Sequence, residues 1–149
     1  MEKKNYINRI KFVIPSLSVN ESVARSVIAA FCAQANPTAI DIADIKCAVS
    51  EAITNCIVHG YKNSIGNIYI DVKICENDLI KITVKDNGCG ISDVKLARQP
   101  LYTTDAENER SGMGFTVMES FMDKLTVRSG LGKGTTVTMT KRLNNLHII

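Results

Sequence analysis

Three polar residues recur at every fourth position of the stretch Ser-Glu-Ala-Ile-Thr-Asn-Cys-Ile-Val-His-Gly, residues 50–60: Glu51, Asn55 and His59. In a helix that spacing sets all three along nearly one side. Asn55 offers a neutral carbonyl oxygen, a hard ligand suited to Mg²⁺, which takes few protein ligands and keeps waters or phosphates. Glu51, one turn earlier and about 6 Å away, would leave the ion uncrowded. It could accept a proton from a hydroxyl or water attacking a terminal phosphate. An amide is a poor zinc ligand, so the stripe does not read as a zinc site. His59 reads as a structural or helix-end residue. On its own, the whole stripe reads first as the solvated side of an amphipathic helix.

Two glycine clusters add chemistry. Asp86-Asn-Gly-Cys-Gly90 closes a run that alternates like a strand. There Gly88 and Gly90 would allow positive φ and bring bare backbone close to a ligand. Asp86 would aim a carboxylate into the same space, an acceptor for an exocyclic amine; a simple tight turn explains the motif equally well. Gly112-Met-Gly114 leads into a helical pattern, where free amides and the helix dipole suit a phosphate. Arg110 just before it adds a fixed positive charge, though a surface arginine beside an ordinary helix start is the alternative. Gly130-Leu-Gly-Lys-Gly-Thr135 lacks the P-loop spacing and precedes a strand pattern, so it reads as a hairpin turn. Thr135 would face the pocket if its strand lies beside that of Asp86.

The elements that must hold these groups follow from periodicity. Ile10, Phe12 and Ile14 alternate, giving a strand over 7–14 that stops at Pro15. Ser18 with Glu21 reads as a capping box opening a helix over 19–35, and Thr38 with Asp41 as a second, opening a helix that ends near Gly60. Alternation at 68–74 and 80–84 around Glu76-Asn-Asp78 gives a hairpin. A helix over 114–121 and strands over 124–129 and 135–142 complete the chain. The order predicts an α+β, two-layer sandwich: a mixed, mostly antiparallel sheet with helices on one face. Between Asn87 and Ser111 about 25 residues lack periodicity, the length of a functional lid.

Composition narrows the class. The 149 residues are 45% hydrophobic and 22% charged, an ordinary globular balance expected to form one domain over 1–149. A net charge of +3, spread along the chain with no tryptophan, does not argue for nucleic acid. No apolar run reaches the length of a membrane span, and the first residues lack a secretion signal. The five cysteines form no C-x-x-C pair and read as reduced thiols of a cytoplasmic protein, most of them in the core.

Taken together, Glu51-Ala-Ile-Thr-Asn55, Asp86-Asn-Gly-Cys-Gly90, Gly112-Met-Gly114 and Gly134-Thr135 resemble, in order and spacing, the Bergerat ATP-binding fold of the GHKL superfamily. The stretches Val-Ser-Glu-Ala-Ile-Thr-Asn, Ala-Arg-Gln-Pro-Leu-Tyr-Thr-Thr and Glu-Arg-Ser-Gly-Met-Gly-Phe look like the bacterial anti-sigma serine kinases. The resemblance implies ATP and Mg²⁺ as ligands, with Asn55 on the metal and Asp86 on the adenine amino group. Gly88 and Gly90 would shape the base pocket, and Thr135 would join its polar network. Residues 92–111 would form the ATP lid, carrying Thr104 and Arg110, with Gly112, Met113 and Gly114 at the phosphates. Glu51 would be the base that activates a serine of an anti-anti-sigma factor, a STAS-type antagonist. Glu21 and Arg25 would face a sporulation sigma factor or that antagonist, and a homodimer is implied. The alternatives are a kinase serving a general-stress sigma factor, or a nucleotide-dependent binding module without kinase activity. Cys56 and Cys89 depart from the usual pattern and would set thiols near the nucleotide.

Overall fold

The structure, a computed structural model, describes residues 5–99 and 114–144. Five strands form one sheet in the order β1-β2-β3-β5-β4: β1 (Asn8–Pro15), β2 (Asn67–Cys75), β3 (Leu79–Asp86), β4 (Lys124–Ser129) and β5 (Thr135–Arg142). Every adjacent pair is antiparallel, so the expected mixed sheet has no parallel pair among the described strands. Two helices lie between β1 and β2 and carry the chain out and back, so β2 starts where β1 ended. β3 and β4 do run the same way, but β5 is inserted between them.

Helices α1 (Asn20–Cys32), α2 (Ala39–Asn55) and α4 (Phe115–Phe121) cover one face, and the short α3 (Val94–Ala97) was not anticipated. α2 is the middle of that layer. Its Ile45, Ala48, Val49, Ala52 and Ile53 are buried against the inward residues of the strands, among them Ile70, Val72, Ile82, Val84 and Met139. α1 contributes Ala24, Ile28 and Cys32 at four-residue intervals, and α4 contributes Phe115 and Met118. Lys141 points inward from β5, where its ammonium meets the Phe121 carbonyl at 3.0 Å and Asp44 at 3.2 Å.

The Thr38–Asp41 capping box is present in both directions, at 3.0 and 3.2 Å. The one expected at Ser18 is not. Val19 precedes α1 with helical φ and ψ and no side-chain cap, and the Glu21 amide is taken by the Ser18 backbone carbonyl. α1 also ends at Cys32 rather than residue 35, in a 3-10 turn over Ala33–Ala35 closed by left-handed Asn36. The β2–β3 turn places Asn77 and Asp78 at positive φ, the geometry that hairpin turns favour.

The cysteines correct another expectation: only Cys32 and Cys56 are buried, while Cys47 and Cys89 are exposed and Cys75 is intermediate. Burial pushes the Cys32 thiol up to about 12. Among the described residues, no helix is long and apolar enough to cross a membrane.

Candidate functional site

α2 does not stop at Asn55 but loosens into a π-turn over Cys56–Gly60, a form that recurs at functional sites. The turn delivers its end to the Asp86 end of β3. A slot opens there, about 360 Å³ including its mouth, walled by Ala52, Val84, Val137, Ile91 and Phe115. Its polar lining comes from Asn55, His59, Asp86 and Thr135. Asp86 and Thr135 are direct cross-strand partners, as the sheet order had to provide.

Asp86 is 3% exposed, and one carboxylate oxygen accepts the Gly88 amide at 2.9 Å. The other faces Gly60, where a Cβ would stand 2.8 Å from it. The Cys56 thiol, raised well above its ordinary range by burial and by the charge of Asp86, stays protonated against the same carboxylate. Thr135 shares its hydroxyl with Ser129 at 2.8 Å, and Ser129 also accepts the Ile91 amide at 2.7 Å. The chain at Cys89–Ile91 is thus pinned to the β4–β5 hairpin, with Gly132 adding a bond to the Cys89 carbonyl at 2.7 Å.

The two glycines of the first box have different reasons. Gly90 has φ +75° and passes so close to the Gly130 carbonyl that any side chain would collide with it. Gly88 does not have the positive φ expected of it; it is pressed instead against the Gly60 backbone, leaving no room for a Cβ. It shapes the slot from behind and is not part of the lining.

Glu51 is not in the slot. It borders a neighbouring groove between the helices, with Arg25, Lys46, Ser50, Val117 and Phe121. Its carboxylate lies against Gly114, whose φ of +68° and lack of a Cβ both permit that approach. Gly114 thus lies between Phe115, which walls the slot, and Glu51, which borders the groove. Arg25 bonds Glu21 at 3.0 Å and Ser50 at 3.1 Å, bracing α1 on α2. Of the lid expected over 92–111, the described part is residues 92–99. There Asp93 caps α3 through the Leu96 amide at 3.0 Å, and Arg98 pairs with Glu119 of α4 at 2.5 Å. Thr104, Arg110, Gly112 and Met113 lie outside the described residues.

The sequence missed Gly60 as a site residue, reading it only as a helix end, and missed the apolar walls. Valines and a phenylalanine in regular elements carry no mark that separates a slot from a core. His59 was read as structural; its carbonyl does accept the Cys89 thiol at 3.1 Å, and the residue also lines the slot. The thiol expected near the ligand is Cys56 in the slot, while Cys89 lines only the adjoining surface groove.

A buried acceptor in an apolar cleft, an amide oxygen nearby and a carboxylate one turn away define a class. The family model of the histidine kinase-like ATPase domain matches residues 14–141, and the chain belongs to that family. An anti-sigma F factor of Thermoanaerobacter sp. (strain X514) is 56% identical over 140 residues, 94% of this chain and 97% of its own. Those of Clostridium kluyveri (strain ATCC 8527) and Bacillus licheniformis are 52% and 50% identical, over 95% and 92% of this chain and 99% and 94% of theirs. Within the ATPase class the chain belongs to the anti-sigma F factor family. The fold is also similar to part of a Mycobacterium tuberculosis structure that contains RsbU and RsbW domains, with TM-score 0.68 and 22% identity. That match takes in 91% of this chain and 32% of the longer one. The histidine kinase domain of an Erythrobacter litoralis blue-light activated kinase matches with TM-score 0.55 and 17% identity, over 96% of this chain and 70% of its own.

Proposed function

We propose that this protein is a Mg²⁺- and ATP-dependent serine kinase that also binds and restrains a sigma factor of the sigma-F type. One observation carries the reading. Asp86, Thr135 and Asn55, from three elements, line one apolar slot, and Glu51, one helical turn before Asn55, lines the neighbouring groove beside Gly114.

The residues present fit the ligands. A flat heterocycle would lie between Val84, Val137, Ile91 and Phe115, with its exocyclic amine donating to the buried Asp86 carboxylate. Asn55 supplies one hard oxygen, and no cluster of three or more His, Cys, Asp or Glu that could hold a metal exists among the described residues. That donor set suits an ion arriving with phosphates and waters rather than one caged by protein. Bound there, Mg²⁺ would neutralise phosphate charge, the main demand of phosphoryl transfer. Gly114 offers bare backbone at the phosphate end. Glu51, on the groove side, would hold and deprotonate the serine hydroxyl of an anti-anti-sigma factor entering along the groove. Arg25 lines that groove from α1 with Glu21 bonded to it, and the two would meet the sigma factor or the antagonist.

The test is a Glu51→Gln variant mixed with radiolabelled ATP and the purified antagonist. Transfer to serine should fall by about 10²-fold or more, the usual worth of a general base, with ATP affinity retained. Undiminished transfer would remove Glu51 from the mechanism.

A further inference from the structure

Among the described residues no helix covers the face of the sheet opposite α1, α2 and α4, and the antiparallel register gathers charge there that is scattered in sequence. Arg9, Lys73 and Lys81 stand side by side on β1, β2 and β3, and the same row continues through Thr140 to Lys124. Strand spacing makes that row about 19 Å long. The next rows add Lys11, then Lys85 and Arg128; Arg142, at one end, turns to the Asn77 carbonyl at 2.7 Å. By strand alternation this face holds eight of the chain's 18 Lys and Arg residues but one carboxylate, Asp71. A chain of net charge +3 is therefore strongly polarised. Like charges directly opposite on neighbouring strands disfavour folding, and Lys73 faces Lys81 in that relation. Arg9 takes both oxygens of Asp71, at 3.0 and 2.6 Å, leaving no carboxylate of this face for the lysines.

We infer that this sheet face binds the phosphate backbone of nucleic acid. The uncharged positions between the cations are mostly threonines, Thr83, Thr126, Thr136, Thr138 and Thr140, which offer hydroxyl donors and little apolar area. Protein interfaces are depleted of charge at their centres and built on aromatic anchors. Peripheral membrane surfaces add an apolar face to their basic one. Here the large apolar outward residues are split: Val13 and Tyr69 pair near the β1 edge, Leu79 stands three rows away beside Arg142, and the Tyr6 ring is taken up by Arg9 and Lys73. Rows of cations with hydroxyls match what binds phosphates without reading bases. The nucleotide slot opens on the other side of the sheet, so the two activities are separable.

The experiment measures anisotropy of a fluorescent DNA duplex of arbitrary sequence, and of a single-stranded RNA, titrated with the full chain. Binding is expected at about 50 mM salt and should weaken roughly 100-fold by about 200 mM if four phosphates are neutralised. Lys73→Gln with Lys81→Gln should weaken it roughly tenfold at low salt and flatten the salt dependence by about two contacts. The pair Ser22→Glu and Ser120→Glu makes the same change in net charge on exposed helix positions and should leave binding nearly unchanged. Thermal melts of both variants establish that each is folded, and the lysine pair should melt no lower than the parent. Asp86→Asn should retain nucleic-acid binding whether or not the slot holds ATP. No binding to either probe at low salt, equal losses in both double variants, or binding to phosphatidylserine vesicles alone would overturn the inference.

Discussion

Gly60 is where one residue decides the shape of the Asp86 end of the slot. Its φ lies outside the left-handed region, so alanine can adopt its backbone conformation. The obstacle is the Asp86 carboxylate, which a Cβ would meet at 2.8–3.1 Å. Its carbonyl meanwhile receives the Cys89 amide at 2.9 Å and supports Gly88, so the backbone cannot easily retreat. Gly60→Ala should therefore turn the carboxylate rather than unfold the chain. ATP affinity, measured by calorimetry, should fall about tenfold, the worth of one well-placed hydrogen bond. The melting temperature should stay nearly constant. Unchanged affinity would mean that Asp86 does not orient the base.

At the scale of elements, α2 carries the site and depends on its first turn. Asp41 is fully buried although charged, and it accepts the Thr38 amide at 3.2 Å and the Asn144 amide at 2.9 Å. It thus fastens the segment after β5 to the start of the helix that bears Glu51 and Asn55. Asp41→Ala would strand two amides and should cost about 2–4 kcal/mol in urea denaturation, against about 1 for an ordinary cap such as Thr38→Ala. Equal losses would show that the Asn144 link contributes little. This cap was legible in sequence because side chains make it. The start of α1 was not, since backbone carbonyls of Leu17 and Ser18 do that work and leave no residue-type signature. Strands announced themselves by alternation, and β4 and β5 lie at their expected limits. The π-turn after Asn55 was invisible, because Cys-Ile-Val-His-Gly continues a helical pattern without a break. Asp86 and Thr135 could be paired only conditionally until the sheet order placed β5 beside β3.

For the whole molecule, the main asymmetry is electrical, with the helices over the site on one side and the cationic sheet face on the other. Asp71 sits in the middle of that face. Burial pushes its carboxyl up, but the hydrogen bonds and charge of Arg9, with Lys73 and Lys11, outweigh burial and hold it below the ordinary value of 3.8. A carboxyl depressed in the folded state contributes stability that is complete above its unfolded value and is lost as pH falls through the folded one. Asp71→Asn should therefore lower the melting temperature by roughly 2 °C at neutral pH, a modest effect because the pair is partly solvated. The deficit should persist at pH 5 and close as the pH drops below 3.8. It should also widen at low ionic strength, where the surrounding cations repel one another with less screening. A deficit that is constant across pH would trace to lost shape or hydrogen bonding at Arg9 and not to the field of the cationic face.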